Sequence, residues 1–198
     1  MPSRHLISVL KKGGLAVIPT DTLYGIVSSA WNKKAVARLC LLRRKTSGKP
    51  FIILIRNSEQ LREFGVHPTF SEEKVLEKVW PGKVSVVFPC KRKDLAHLHL
   101  GTNSLAFRVP HSRKLLALLQ KTGPLLAPSA NPEGALPATT IAEAKKYFGD
   151  EVDWYESAGR KMTGKPSTLI SFENERMKVL REGAFSVQEY SPSGQAPR

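Results

Sequence analysis

Hydroxyls, a carboxylate and a tyrosine crowd the stretch Thr20-Asp21-Thr22-Leu23-Tyr24-Gly25, directly behind the apolar run Leu15-Ala16-Val17-Ile18 and the ladder-ending Pro19. Polar groups packed that densely at the end of a core strand need partners. A turn capped by its own hydroxyls supplies them, and so does a ligand at the mouth of an α/β sheet. A second stretch is cationic: Arg43-Arg44-Lys45-Thr46-Ser47-Gly48-Lys49-Pro50 leaves a helical pattern and enters an apolar run. Arg43, Lys45 and Lys49 there suit phosphate, while a solvated helix end whose cations satisfy the last carbonyls is the plainer use. In a third stretch Ser104, Ala106 and Arg108 alternate against Leu105 and Phe107. An arginine inside such a strand must find an anion or stay half exposed, so either a bound carboxylate or a structural ion pair fits it. Ala127-Pro128-Ser129-Ala130-Asn131-Pro132 closes another apolar run, either as an Asx turn or as a site.

These stretches need elements to hold them. Ser3 caps a helix ending near Lys12, and Leu15-Ala16-Val17-Ile18 is the first strand. The run after Gly25 continues as strand or loop to Trp31, and Asn32 opens a helix reaching about Arg44. Residues 51–55 read as a fully buried strand, Ser58 and Ser71 each open a helix, and Pro81-Gly82 stops the second. Strands follow at 84–88 and 104–109, separated by a basic, histidine-containing loop over 91–103. Ser112 caps a helix to about Lys121, 125–127 is a short strand, and Thr139 or Thr140 caps a helix to Phe148. Strand-like runs at 168–172 and 178–180 finish one domain over residues 1–186, and residues 187–198 read as a disordered tail. Strands and helices alternate too irregularly for a doubly wound sheet, so the expectation is α/β with a mixed sheet.

The 198 residues carry 31 Lys+Arg against 17 Asp+Glu, a formal charge of +14, which points to a polyanion, phosphorylated substrates or an anionic surface as partner. Cys40 and Cys90 stand far apart in apolar contexts, as in a reducing compartment. No apolar run approaches membrane-spanning length and the N-terminus has no signal-peptide core. The expectation is a soluble, cytoplasmic protein without membrane contact. There is no P-loop, no dinucleotide fingerprint and no recognisable Ser-His-Asp spacing. His97 and His99 lack acidic or cysteine neighbours of the kind a metal site needs, so no metal ligand and no protein nucleophile is assigned.

Taken in order, Pro19-Thr20-Asp21-Thr22-x-Tyr24-Gly25, the basic cluster before Lys49-Pro50, Trp80-Pro81-Gly82, Arg108-Val109-Pro110, Pro128-Ser129-Ala130-Asn131, Pro166-Ser167-Thr168 and Arg181-Glu182-Gly183 resemble the YrdC-like family over about residues 15–185. The resemblance implies a twisted, mixed parallel and antiparallel sheet flanked by helices around a basic cavity. It implies a single-domain threonylcarbamoyl-AMP synthase, a nucleotidyltransferase using L-threonine, bicarbonate and ATP with Mg2+. The product would serve threonylcarbamoyladenosine modification of tRNA, with the tRNA-modification transferase machinery, and tRNA or other RNA, as partners. On the matching positions it assigns ATP to Lys45, Lys49, Ser104, Ser129 and Arg181, and threonine to Thr20, Arg108, Ala127 and Ser167. It offers Arg43 as a candidate for a further phosphate contact. The sequence departs from the family pattern with Arg43 at a lysine position, Lys45 at an arginine position, Thr46 in place of proline, and Lys83 ending Trp80-Pro81-Gly82-Lys83.

The alternative is a non-catalytic RNA-binding module that uses the same basic cavity. Base stacking would favour exposed aromatics, and here they mostly sit inside apolar runs. A third reading, a carbamoyl-transfer module, would call for further domains.

Overall fold

The structure, a computed structural model, describes residues 1–45, 50–162 and 164–186. Lys49 and the expected tail at 187–198 lie outside the described residues. The strands are β1 (Ala16–Pro19), β2 (Tyr24–Ser29), β3 (Ile52–Leu54), β4 (Val84–Pro89), β5 (Ser104–Arg108), β6 (Leu125–Leu126), β7 (Trp154–Tyr155), β8 (Thr168–Glu173) and β9 (Arg176–Arg181). They form one sheet in the order β7-β1-β2-β6-β3-β5-β4-β8-β9. Pairs β1–β7, β3–β5 and β4–β8 are parallel and the other five antiparallel, so the mixed α/β expectation holds.

Helices α1 (Arg4–Lys11), α2 (Lys33–Leu42), α3 (Phe70–Val79), α4 (Ala96–His99), α5 (Arg113–Thr122) and α6 (Ile141–Phe148) pack on both faces. Ser3, Asn32, Ser112 and Thr140 cap α1, α2, α5 and α6 through their side-chain oxygens. For α3 the expected cap, Ser71, gives way to Thr69. Its Oγ1 accepts from the Glu72 N–H at 3.3 Å, while Glu72 accepts from the Thr69 N–H at 2.9 Å. That reciprocal box satisfies two orphan donors, which Ser71 could not do with a glutamate one position away. The stretch opened by Ser58 is a 3-10 helix, Ser58–Phe64, and the basic loop contains the short α4. β7 and its pairing to β1 were not foreseen; two residues carry no periodicity to read.

Strand alternation sorts the sheet into two faces. Leu15, Val17, Ile26, Ile53, Phe107, Val86 and Ile170 look toward α2, α3, α4 and α6 in a fully buried core. On the other face Ala16, Ile18, Val27, Leu125 and Leu54 meet Leu6 and Leu10 of α1 and Leu115, Leu118 and Leu119 of α5. Those two helices cover only part of that face. Of its remaining positions, Ile52, Ala127, Ser104, Val87, Leu169 and Ser171 are half-buried, whereas Ser85, Ala106 and Arg108 are buried.

Candidate functional site

The open part of the second face is where strand register brings four of the candidates, Ser104, Arg108, Ala127 and Ser167, together. Register places Ala127 beyond Leu125 on β6 and beside Ile52, whose carbonyl accepts the Ala127 N–H at 2.8 Å. Ile52 lies opposite Ala106, and Ser104 and Arg108 flank Ala106 on the same side of β5. Ser104 pairs with Pro89 and Ala106 with Val87, so Ser85 of β4 stands beside Arg108. Ser85 is buried and shares a 2.8 Å hydroxyl contact with Ser167, which enters β8 alongside it. Ser129 bridges to Gly25 on β2, and a Cβ on Gly25 would stand 3.2 Å from the Thr20 methyl and 3.4 Å from the Pro128 carbonyl oxygen. A side chain there would push the Thr20 methyl aside by a few tenths of an ångström, so a bare Cα suits the close approach of the hairpin and the Pro128-Ser129 segment.

Arg108 and Asp21 form a buried ion pair, Nη1 to Oδ1 at 2.7 Å, with side chains 4% and 7% exposed. The second Asp21 oxygen accepts the His111 N–H at 3.0 Å. Burial pulls the Arg108 guanidinium below its ordinary pKa and Asp21 pushes back. Its Nε is buried without a hydrogen-bond partner. Four places separate β1 from β5 in the sheet order, about 19 Å in a flat sheet at about 4.8 Å per strand. The ion pair therefore brings the β1–β2 turn over toward β5.

Thr20 builds that turn. Its Oγ1 accepts from the Thr22 and Leu23 N–H groups, both at 3.1 Å, and donates to the Leu23 carbonyl at 2.7 Å. The hydroxyl is thus spent locally, and what Thr20 offers beside Gly25 and Ala127 is its methyl.

The Pro166-Ser167-Thr168 and Arg181-Glu182-Gly183 motifs interlock at the sheet's far end. Arg181 Nη2 donates to the Ser167 carbonyl at 2.8 Å, and the Ala184 N–H donates to the Pro166 carbonyl at 2.7 Å. A Cβ on Gly183 would fall 2.5 Å from backbone atoms of Pro166, Ser167 and Thr168, so no side chain fits there. Arg181 itself is exposed.

Arg43 is buried at the end of α2. Its Nε donates to the Asn131 carbonyl at 2.9 Å, its own carbonyl accepts the Glu133 N–H at 2.8 Å, and its guanidinium lies 5.3 Å from the Phe51 ring centre. Burial lowers its pKa against the opposing pull of Glu133 and Cys40. It ties the helix to the Pro128-Ser129-Ala130-Asn131 loop. Lys45 stands 4.9 Å over the same ring, at the approach to β3. Two cavities lie nearby in the fold. One of about 480 Å3 mixes Arg56 and Arg62 with Glu59, Glu73 and Glu77 over Trp80 and holds none of the candidate residues. The other, about 260 Å3, reaches Thr20 from beneath α1 and α5, beside the Lys114–Glu156 ion pair. His97 Nε2 lies 3.1 Å from the Ala30 carbonyl oxygen and His99 is buried, so both serve packing.

The residues that sequence reasoning missed are Asp21 as the partner of Arg108 and Ser85 as the partner of Ser167. Asp21 was visible among the polar residues of its turn, but its partner lies 87 residues away.

A mixed sheet with one partly covered face, lined by small side chains and hydroxyls around a buried arginine, defines an α/β protein with a candidate site on the sheet itself. The chain belongs to the Sua5/YciO/YrdC family: residues 8–183 match that family, whose description is telomere recombination. A threonylcarbamoyl-AMP synthase from Thiobacillus denitrificans is 32% identical over 184 residues, covering 91% of this chain and 94% of the relative. The crystal structure of P. abyssi Sua5 complexed with L-threonine superposes with a TM-score of 0.86 at 26% identity; it matches 94% of this chain, which spans 55% of that protein. E. coli YciO superposes with a TM-score of 0.82 at 25% identity, covering 95% of this chain and 94% of YciO. Among the described residues no helix is long and apolar enough to cross a membrane.

Proposed function

We propose that this chain is a threonylcarbamoyl-AMP synthase, joining L-threonine, bicarbonate and ATP and releasing pyrophosphate. The observation that carries the reading is Arg108: a buried arginine on the open sheet face, its Nε without a partner, flanked by the Ser85–Ser167 pair. A substrate carboxylate satisfies that N–H with a charge-assisted bond. The threonine methyl then meets the apolar surface of Thr20, Gly25 and Ala127. The threonine amine attacks the bicarbonate carbon, water leaves, and a carbamate forms. A carbamate oxygen attacks the α-phosphorus of ATP, and the bond to the β-phosphate oxygen breaks to free pyrophosphate. No protein nucleophile is required; positioning and charge neutralisation supply the acceleration.

On the same reading Ser104 and Ser129 contact the nucleotide, and Lys45, Lys49 and Arg181 neutralise its phosphates, with Arg43 holding the loop that carries Ser129. Among the described residues no three His, Cys, Asp or Glu side chains gather into a metal-holding group. We therefore assign Mg2+ to the phosphate oxygens of the bound nucleotide and to water. The product is a reactive mixed anhydride, whose consumer is a transferase acting on tRNA. The test is pyrophosphate release by the purified chain, with threonine and bicarbonate omitted in turn. Release that needs both is expected; release indifferent to threonine, or none with any amino acid, overturns the proposal.

A further inference from the structure

No ligand role falls to Asp21 in the assignments above, yet Asp21 decides where Arg108 can point. Its carboxylate is held from two sides, Oδ1 by Arg108 Nη1 at 2.7 Å and Oδ2 by the His111 N–H at 3.0 Å, and it stands in a turn closed by the Thr22 and Leu23 N–H groups on Thr20 Oγ1. A carboxylate so fixed is a rigid stop for the guanidinium. With Nη1 occupied, the edge carrying the unpartnered Nε is what remains for a substrate. The pair is also balanced in charge, one cation against one anion, both nearly out of water. An uncompensated buried arginine attracts any anion, phosphate most of all. Beside a nucleotide site such an arginine would capture phosphates in place of the amino acid. The Asp21 charge repels a multiply charged phosphate far more than a single carboxylate that approaches by the Nε edge.

We propose that Asp21 is a positioning and specificity residue: it pins Arg108 so that the Nε edge receives the amino-acid carboxylate, and its charge keeps phosphate and pyrophosphate out of that subsite. The inference rests on the proposed synthase activity.

The experiment uses the full chain carrying Asp21→Asn or Asp21→Glu, with pyrophosphate release followed at saturating ATP. In Asp21→Asn the KM for L-threonine rises about 10–100-fold, by analogy with the loss when an outer residue that orients a metal ligand is removed. kcat at saturating threonine and the KM for ATP stay close to wild type. Inorganic phosphate, a poor inhibitor of the wild type, becomes competitive with threonine. Asp21→Glu keeps the charge, so it still excludes phosphate while its displaced carboxylate raises the threonine KM. If Asp21→Asn fails to fold, Asp21→Glu and calorimetric binding of L-threoninamide carry the test: lacking the carboxylate, the amide binds Asp21→Glu and the wild type equally. An unchanged threonine KM overturns the inference. So does a general loss of kcat, ATP affinity and melting temperature without phosphate competition. A wild type that releases no pyrophosphate with threonine overturns the functional reading, and this inference with it.

Discussion

Removing the guanidinium of Arg108 takes away two things at once: a group suited to a substrate carboxylate and the partner of a buried Asp21. Leaving one half of a buried ion pair costs about 3–5 kcal/mol. Arg108→Ala is therefore expected to lower both the melting temperature and, on the order of a hundredfold, threonine affinity. Arg108→Lys separates the two roles. Its ammonium still neutralises Asp21, so the melting temperature stays near wild type, but it cannot offer a second parallel N–H to a carboxylate. Calorimetry of Arg108→Lys should show threonine binding weakened at least tenfold and ATP binding, measured alone, unchanged; wild-type threonine binding would remove Arg108 from the site. Strand alternation made the placement of Arg108 beside Ser104 and Ala106 readable in the sequence, and the structure keeps that alternation. The ion-pair reading and the ligand reading both stood open there, and the structure answers the first without displacing the second. Asp21 was not readable as the partner, because the contact joins residues 87 apart through the order of a nine-stranded sheet and local pattern carries no such information.

At the scale of elements, two short motifs far apart in sequence become one unit. Pro166-Ser167-Thr168 leads into β8 and Arg181-Glu182-Gly183 leaves β9, and the two are sealed by the Gly183 approach and by hydrogen bonds from Arg181 and Ala184. Thr168 adds a further tie, its hydroxyl donating to the Phe185 carbonyl and accepting from the Phe185 N–H. Gly183→Ala forces a methyl against backbone, which has no side-chain freedom to yield. Overpacking of this kind costs about 1–3 kcal/mol, or a few degrees in melting temperature for a chain of this size. Because the strained backbone is that of Ser167, the KM for threonine should rise more than the KM for ATP. Equal kinetics and an unchanged melt would show that the loop yields freely and that the motif has no hold on Ser167. Elements with apolar runs or a cap residue were legible in sequence: α1, α2, α5, α6, β1, β3, β4, β5, β6 and β8. The cap of α3 went to Thr69 because a reciprocal box outcompetes a nearer serine, and β7 is too short to leave a pattern.

For the whole molecule, the sheet order and the Asp21–Arg108 contact are what bring the candidate residues together. Thr20, Ala127, Arg108 and Ser167 come from the β1–β2 turn, the end of β6, β5 and the start of β8, and on the proposed reading a threonine on the open face would contact all of them. Such a ligand binds only the folded chain, so it stabilises the chain by mass action. At a hundred times its dissociation constant a ligand adds about 2.7 kcal/mol. In a domain of this size that is roughly 5–11 °C in melting temperature. L-threonine and ATP should each raise the melt in this way, and together by more than either alone, since the proposed contacts of the two ligands are separate. Serine at the same concentration should shift it less, because the missing methyl forfeits about 1–3 kcal/mol against Thr20, Gly25 and Ala127. The formal charge of +14 bears on the same measurement. RNA held by a generally basic surface would also stabilise the fold, but its effect falls steeply as salt is raised, with the release of counterions. A small amino acid seated on a buried arginine loses little of its effect with salt, because buried pairs are poorly screened. A threonine shift that persists at high salt, set against an RNA shift that vanishes, is the expected outcome. Melts that respond to RNA alone, with no shift from threonine at any concentration, would instead favour the non-catalytic RNA-binding module.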